Sequence, residues 1–208
     1  MHPRVRTEFE RICSERKITG SVLEVGAQPD DETLLCMKSL EGASEKVGLN
    51  LADPTSYRDF KIHKGNANSM SLFEDERFDV VICNAVIEHD KYFWKTIEEI
   101  KRVTKRGGLI VIGAPGYTYF RAEGVKRILG KTPLIRNLKS NQYLNMFFTA
   151  TITFQIHDEP GDFYRFSPEA FRDVLFEDMD DVEISAIMLP PRMIGAGRKR
   201  APRIDALH

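Results

Sequence analysis

FDVVICNAVIEH, Phe78 to His89, decides how this chain folds. Its opening run, FDVVICNA, is apolar and rich in β-branched residues, without the alternation of a half-exposed strand. Such a run reads as an interior strand covered on both faces, the signature of a parallel sheet between helical layers. Towards the C-terminus, Lys91 to Lys105 places Phe93, Ile97, Ile100 and Val103 on one helical stripe, stopped by Gly107-Gly108. LIVIGAP, Leu109 to Pro115, is then a second buried strand. Towards the N-terminus, SVLEVG (Ser21 to Gly26) and KVGLNL (Lys46 to Leu51) read as strands, with a helix over Thr33 to Leu40 between them. A weak helix around Tyr57 and a short strand over Ile62 to Gly65 follow, and Phe9, Ile12, Cys13 and Arg16 mark an amphipathic helix near the start. Strands alternating with helices predict a doubly wound α/β fold.

The alternation stops after Pro115. Tyr117 to Thr153 is basic at first (Arg121, Lys126, Arg127, Lys131), then aromatic and apolar in QYLNMFFTATITF, and reads as an inserted cap. SPEAFRDVLFED resumes as a helix with Ser167 as N-cap and Pro168 at its first position. VEISAIML (Val182 to Leu189) is a strand, and Pro190-Pro191 turns the chain so that MIGAGRK returns antiparallel beside it. The chain is thus read as one domain. An N-terminal helix spans 1–19, a core 20–116, a cap 117–156, a return to the core 157–197 and a basic tail 198–208.

Bulk properties narrow the function. The chain has 208 residues, 30 basic and 31 acidic side chains and a net charge of −1, so nucleic acid is not an expected partner. Its three cysteines, Cys13, Cys36 and Cys83, form neither a CxxC nor an even set, so neither a disulfide framework nor a metal site is expected. MHPRVRTEFERI lacks the apolar core of a signal peptide, and no apolar run nears the roughly 20 residues of a membrane span. A cytoplasmic location is expected.

GAQPDDE, Gly26 to Glu32, occupies the junction of first strand and first helix, where α/β proteins often hold a nucleotide-like cofactor. It has one glycine, and Pro29 suits a helix N-terminus with Asp30, Asp31 and Glu32 in the first turn. Three carboxylates there would repel a pyrophosphate. A dinucleotide-dependent oxidoreductase also needs G-x-G-x-x-G, which is absent, and an acid where Asn50 ends the second strand.

The ordered set VLEVG, KVGLNL, HKGNANSMSLF, FDVVICNAVIEH and RGGLIVIGAPG resembles the class I S-adenosylmethionine-dependent methyltransferases, of the small type 11 kind. HDEPGDFYRFSPEAF, His157 to Phe171, resembles a stretch of small methyltransferases from surface-polysaccharide and other sugar-modifying pathways. The resemblance implies a mostly parallel seven-stranded sheet with an antiparallel last strand, and S-adenosylmethionine as cofactor. It implies cofactor contacts from Glu24, Gly26, Ala27 and Gln28 after the first strand, and from Asn50 and Leu51 after the second. Asn66 and Ala67 follow the third, and Asn84, Ala85 and Val86 the fourth. Asn50 and Asn66 stand where the family usually carries acids. An amide still accepts from a hydroxyl or amino group but lacks the charge.

Several residues admit two roles. Glu24, through water or the cofactor's amino group, serves the cofactor, or it is a structural acid that caps a neighbouring helix or pairs with an Arg. His89 either accepts a proton from the acceptor or shapes the pocket rim. Tyr164 and Arg165 either orient the acceptor, with Asp162 and His157 nearby, or belong to an Asp–Arg pair that pins the loop. Gln142 to Phe154 is a lid over an apolar acceptor, a surface for a lipid-linked one, the core of the cap, or a homodimer contact. The expected activity is methyl transfer by direct displacement to oxygen or nitrogen of a small-molecule or sugar-like acceptor, with no metal. The alternative is a methyltransferase-fold protein kept as a binding or assembly module.

Overall fold

The computed structural model describes residues 1–117, 161–188 and 191–201. Strands β1 (Ser21–Val25), β2 (Glu45–Asn50), β3 (Thr55–Tyr57), β4 (Phe60–Lys64), β5 (Phe78–Asn84), β6 (Thr104–Pro115), β7 (Met179–Met188) and β8 (Pro191–Lys199) form one sheet in the order β3-β4-β2-β1-β5-β6-β8-β7. β1 runs parallel to β2 and β5, β2 to β4, and β5 to β6. β8 lies antiparallel between β6 and β7, as the Pro-Pro turn implied.

The central strands are buried on both faces because their side chains feed two cores. Val81 and Cys83 of β5, with Ile110 and Ile112 of β6, face helix α2 (Phe93–Val103) through Ile97, Ile100 and Val103. Val80, Ile82, Leu109 and Val111 point the other way, towards Phe9 and Ile12 of helix α1 (Pro3–Glu15) and towards Leu34, Leu35 and Leu40. Each large apolar side chain so buried contributes roughly 1.5–3 kcal/mol.

Four local expectations change. The weak helix around Tyr57 is instead β3, an eighth strand, hairpinned onto β4 through Arg58 at a φ of 50°. Thr33 to Leu40 is two 3-10 turns, Leu34–Cys36 and Lys38–Leu40, separated by extended Met37. Here tertiary acceptors replace helical ones: the Ser39 N–H donates to Glu10 Oε1 at 2.7 Å, and buried Met37 is drawn into the core. β6 begins at Thr104, ahead of the glycine pair, because the buried Thr104 hydroxyl closes α2 by donating to the Ile100 carbonyl at 2.6 Å. Ser167 does cap the last helix, accepting from the Ala170 N–H at 3.1 Å. After Pro168–Ala170 that helix widens into a π turn, Phe171–Leu175, closed by the Phe176 N–H on the Phe171 carbonyl. The wide turn stacks Phe171 on Phe176 and lays both against Gly195 of β8, where an added Cβ would stand 2.4 Å from the Phe176 ring. The cap, the aromatic stretch Gln142 to Phe154, His157 and the proposed homodimer contact lie outside the described residues.

Candidate functional site

The C-terminal ends of β1, β2, β4 and β5 open on one side of the sheet, where open α/β folds place their ligands. Gly26 makes the first turn at a φ of 89°, and its N–H and that of Ala27 both donate to the Leu49 carbonyl, at 2.8 and 3.2 Å. Asn50 ties the next two loops together. Its Nδ2 donates to the Ala27 carbonyl at 2.6 Å, its Oδ1 accepts from the Ala52 N–H at 3.1 Å, and its carbonyl accepts from the Gly65 N–H at 2.8 Å. Asn66 Oδ1 accepts from the Asn68 N–H at 2.9 Å, and Asn68 Nδ2 reaches Asp90 Oδ2 at 2.6 Å. After β5, Ala85 takes a φ of 56°, a left-handed conformation that costs a residue with a Cβ about 1 kcal/mol or more.

These loops enclose a cleft of about 520 Å³, within the range of small-molecule sites. Gly26, Gln28, Asn50, Leu51, Asn66, Ala67, Ala85 and Val86 line it, as does His89, whereas Glu24, Ala27 and Asn84 do not. Its lining also includes Val25, Leu49, Gly65, Asn68, Asp90, Lys91 and Phe163, for which the sequence offered no motif beyond adjacency to the strand ends.

Residues 25–112 match the family model described as a methyltransferase domain. The fold of the chain is likewise that of solved methyltransferases. A chain of the complex between the Haloferax volcanii Trm112 methyltransferase activator and a candidate methyltransferase superposes with a TM-score of 0.60, at 15% identity, over 95% of this chain and 91% of that one. The N-methyltransferase NodS of Bradyrhizobium japonicum, solved with S-adenosyl-L-homocysteine, gives a TM-score of 0.60 at 11% identity, over 95% and 87% of the two chains. An uncharacterised protein of Methanocaldococcus jannaschii is 54% identical over 41 residues, a match spanning 20% of each chain.

Glu24, one residue before the matched range, braces the first loop. Its carboxylate accepts from the Thr33 hydroxyl, from the Leu34 N–H at 3.1 Å and from the Leu35 N–H at 3.0 Å. Burial pushes its pKa up, while those three donors pull it back. The acids of GAQPDDE do not form a helical first turn, which corrects the sequence expectation. Asp30 accepts from the Glu32 N–H, Asp31 from the Tyr57 hydroxyl and Arg58, and Glu32 from the N-terminal ammonium of Met1. None of the three lines the cleft. The Leu34 and Leu35 N–H groups at the start of the first 3-10 turn are bonded to Glu24.

Around the far end of the cleft, the His89 N–H donates to the Val86 carbonyl at 3.0 Å, and its imidazole Nδ1 engages the Gly161 carbonyl. A carbonyl can only accept, so Nδ1 is the nitrogen that carries a proton in this contact. Tyr164 turns its hydroxyl to the Lys91 carbonyl at 3.0 Å and packs its ring 4.9 Å from that of Phe93. Arg165 forms a two-pronged pair with buried Asp162. Neither Tyr164 nor Arg165 lines the cleft, and the loop-pinning reading describes this pair. Phe163, half-exposed and 5.5 Å from Lys91 Nζ, is the member of this loop that does. Among the described residues no cluster of His, Cys, Asp or Glu could hold a metal, and no helix is long and apolar enough to cross a membrane.

Proposed function

We propose that the chain is a methyltransferase that binds S-adenosylmethionine in this cleft and methylates oxygen or nitrogen of a small-molecule or sugar-like acceptor. The observation that carries the reading is the lining itself. Val25, Leu49, Leu51 and Val86 offer an apolar bed for a nucleoside, and the amides of Asn50 and Asn66 offer hydrogen bonds to its hydroxyl and amino groups. Each amide already makes one or more bonds to backbone, yet an amide oxygen has two lone pairs and its nitrogen two hydrogens, so capacity remains. Neutral bonds are roughly half as strong as charge-assisted ones, which sets the expected affinity in a moderate range. The cofactor supplies an activated methyl on a sulfonium. The chain's own residues hold it, exclude water beneath Phe163, and align the acceptor beside His89. Such positioning alone can supply several kcal/mol of the barrier.

Isothermal calorimetry tests this directly. S-Adenosylmethionine and S-adenosylhomocysteine are expected to bind with micromolar dissociation constants. The absence of heat at millimolar ligand rejects the reading and favours a binding or assembly module. Asp31→Asn serves as a control: since Asp31 faces Tyr57 and Arg58, affinity should stay within about twofold of wild type, under 1 kcal/mol. A tenfold change would bring the acid loop into the site.

A further inference from the structure

We propose that Glu88 is the positioning residue for His89, a buried carboxylate that stabilises the imidazolium formed when His89 takes a proton from the acceptor. The inference rests on the methyltransferase reading above and extends it to acceptors that carry a removable proton, an amine or a hydroxyl. The acceptor atom forms a bond to the methyl carbon as the carbon–sulfur bond breaks, its electron pair staying on sulfur. The acceptor's proton passes to His89 Nε2.

Glu88 is 2% exposed, and among the described residues no side-chain hydrogen bond holds its carboxylate. Glu24 shows what a structural buried glutamate looks like here, with both oxygens bonded to donors of residues 33–35. Glu88 differs. Its Oε1 lies 3.7 Å from Arg192 Nη1 and 4.0 Å from His89 Nε2, both beyond a hydrogen bond, and its Oε2 meets no hydrogen-bond partner among the described residues. An unbonded buried carboxylate oxygen is costly, and such exceptions call for a functional account. The backbone around it is firmly held. The Glu88 carbonyl accepts from the Phe163 N–H at 2.8 Å, and the His89 ring is oriented by the Gly161 carbonyl. Those contacts hold the Glu88 backbone and the His89 ring next to the cleft that His89 lines.

The other charges nearby are largely engaged elsewhere. Asp162 and Arg165 face each other across their two-pronged pair. Asp90 is held by Asn68, Thr96 and the Tyr92 N–H, and Lys91 sits over the Phe163 ring. Arg192, entering from β8, opposes Glu88 in part. Burial pushes the Glu88 carboxyl up, its own backbone N–H pulls it back most, His89 and Arg192 pull it back further, and Asp162 adds a smaller push up.

The test is a pH titration of the imidazole resonances by NMR on the whole chain, wild type against Glu88→Gln, with calorimetry of S-adenosylmethionine on the same samples. Glu88→Gln should lower the His89 midpoint by about one pH unit relative to wild type and leave the Nδ1–H tautomer unchanged. Cofactor affinity should stay within about twofold, because Glu88 does not line the cleft. An unmoved midpoint in a folded variant overturns the proposal. Should Glu88→Gln not fold, His89→Gln with the Glu88 carboxyl followed by carbon-13 measures the same coupling from the other side. That midpoint should rise, and no rise overturns the proposal equally. Failure of wild type to bind cofactor would reject the functional reading instead, a separate and visible result.

Discussion

Gly26→Ala is expected to weaken S-adenosylmethionine binding at least tenfold and to destabilise the fold by about 2–5 kcal/mol. Two costs combine. Gly26 sits at a φ of 89°, where a residue with a Cβ is strained by roughly 1–2 kcal/mol. The new Cβ would also stand 2.4 Å from Val86 Cγ2, far inside contact distance, and an overpacked site costs about 1–3 kcal/mol. The side chain that must yield is Val86, which lines the cleft with Gly26 itself, so the damage falls on the binding surface as well as on stability. Urea denaturation and calorimetry measure the two effects separately. Adding Val86→Ala to Gly26→Ala should recover part of the stability by removing the clashing methyl, while the backbone strain persists. If Gly26→Ala binds cofactor like wild type, the first loop does not shape the site and the proposed location of the cofactor is wrong.

The parts of this molecule legible in sequence are those fixed by local pattern. FDVVICNA and LIVIGAP announce strands buried on both sides because every residue meets one of two cores, and the stripe of Phe93, Ile97, Ile100 and Val103 announces α2. Positions that follow directly from strand ends were legible too: Gly26, Asn50, Asn66 and Val86 all reach the cleft once the strands are placed. What could not be read was set by partners distant in the chain. The Thr33 to Leu40 segment has helical spacing, but Glu10 takes the Ser39 N–H from α1. Asp31 looks like a first-turn acid until β3 brings Tyr57 and Arg58 beside it. Glu88 is the clearest omission. In VIEH it stands next to the more conspicuous histidine, and only the burial of its side chain beneath the 161–165 loop and Arg192 separates it from an ordinary surface acid.

Glu24→Ala should cost about 4 kcal/mol, a large share of the roughly 5–15 kcal/mol by which a domain is stable. The truncation leaves the Thr33 hydroxyl and the Leu34 and Leu35 N–H groups without their acceptor in a site from which water is excluded, and it opens a void beside Leu34 and Leu35. Each orphaned donor is worth about 1–3 kcal/mol, less than additively because the loop can relax. Glu24→Gln should cost roughly 2 kcal/mol: its carbonyl can replace one carboxylate oxygen, but its amide N–H groups then confront a backbone donor. The two variants also differ from wild type in pH dependence. An unfolded glutamate releases its proton near the ordinary value of 4.5, and burial raises the value in the folded chain. Between those two values the folded state holds more protons, so wild-type stability falls as pH rises through that window. Neither variant carries a titrating group at position 24, so the gap between wild type and Glu24→Gln should be widest at and below pH 4.5 and should narrow above it. Urea unfolding at a series of pH values measures this. A gap that widens with pH would mean that the three donors outweigh burial and hold Glu24 ionised, turning the residue from a desolvated acid into a charged cap.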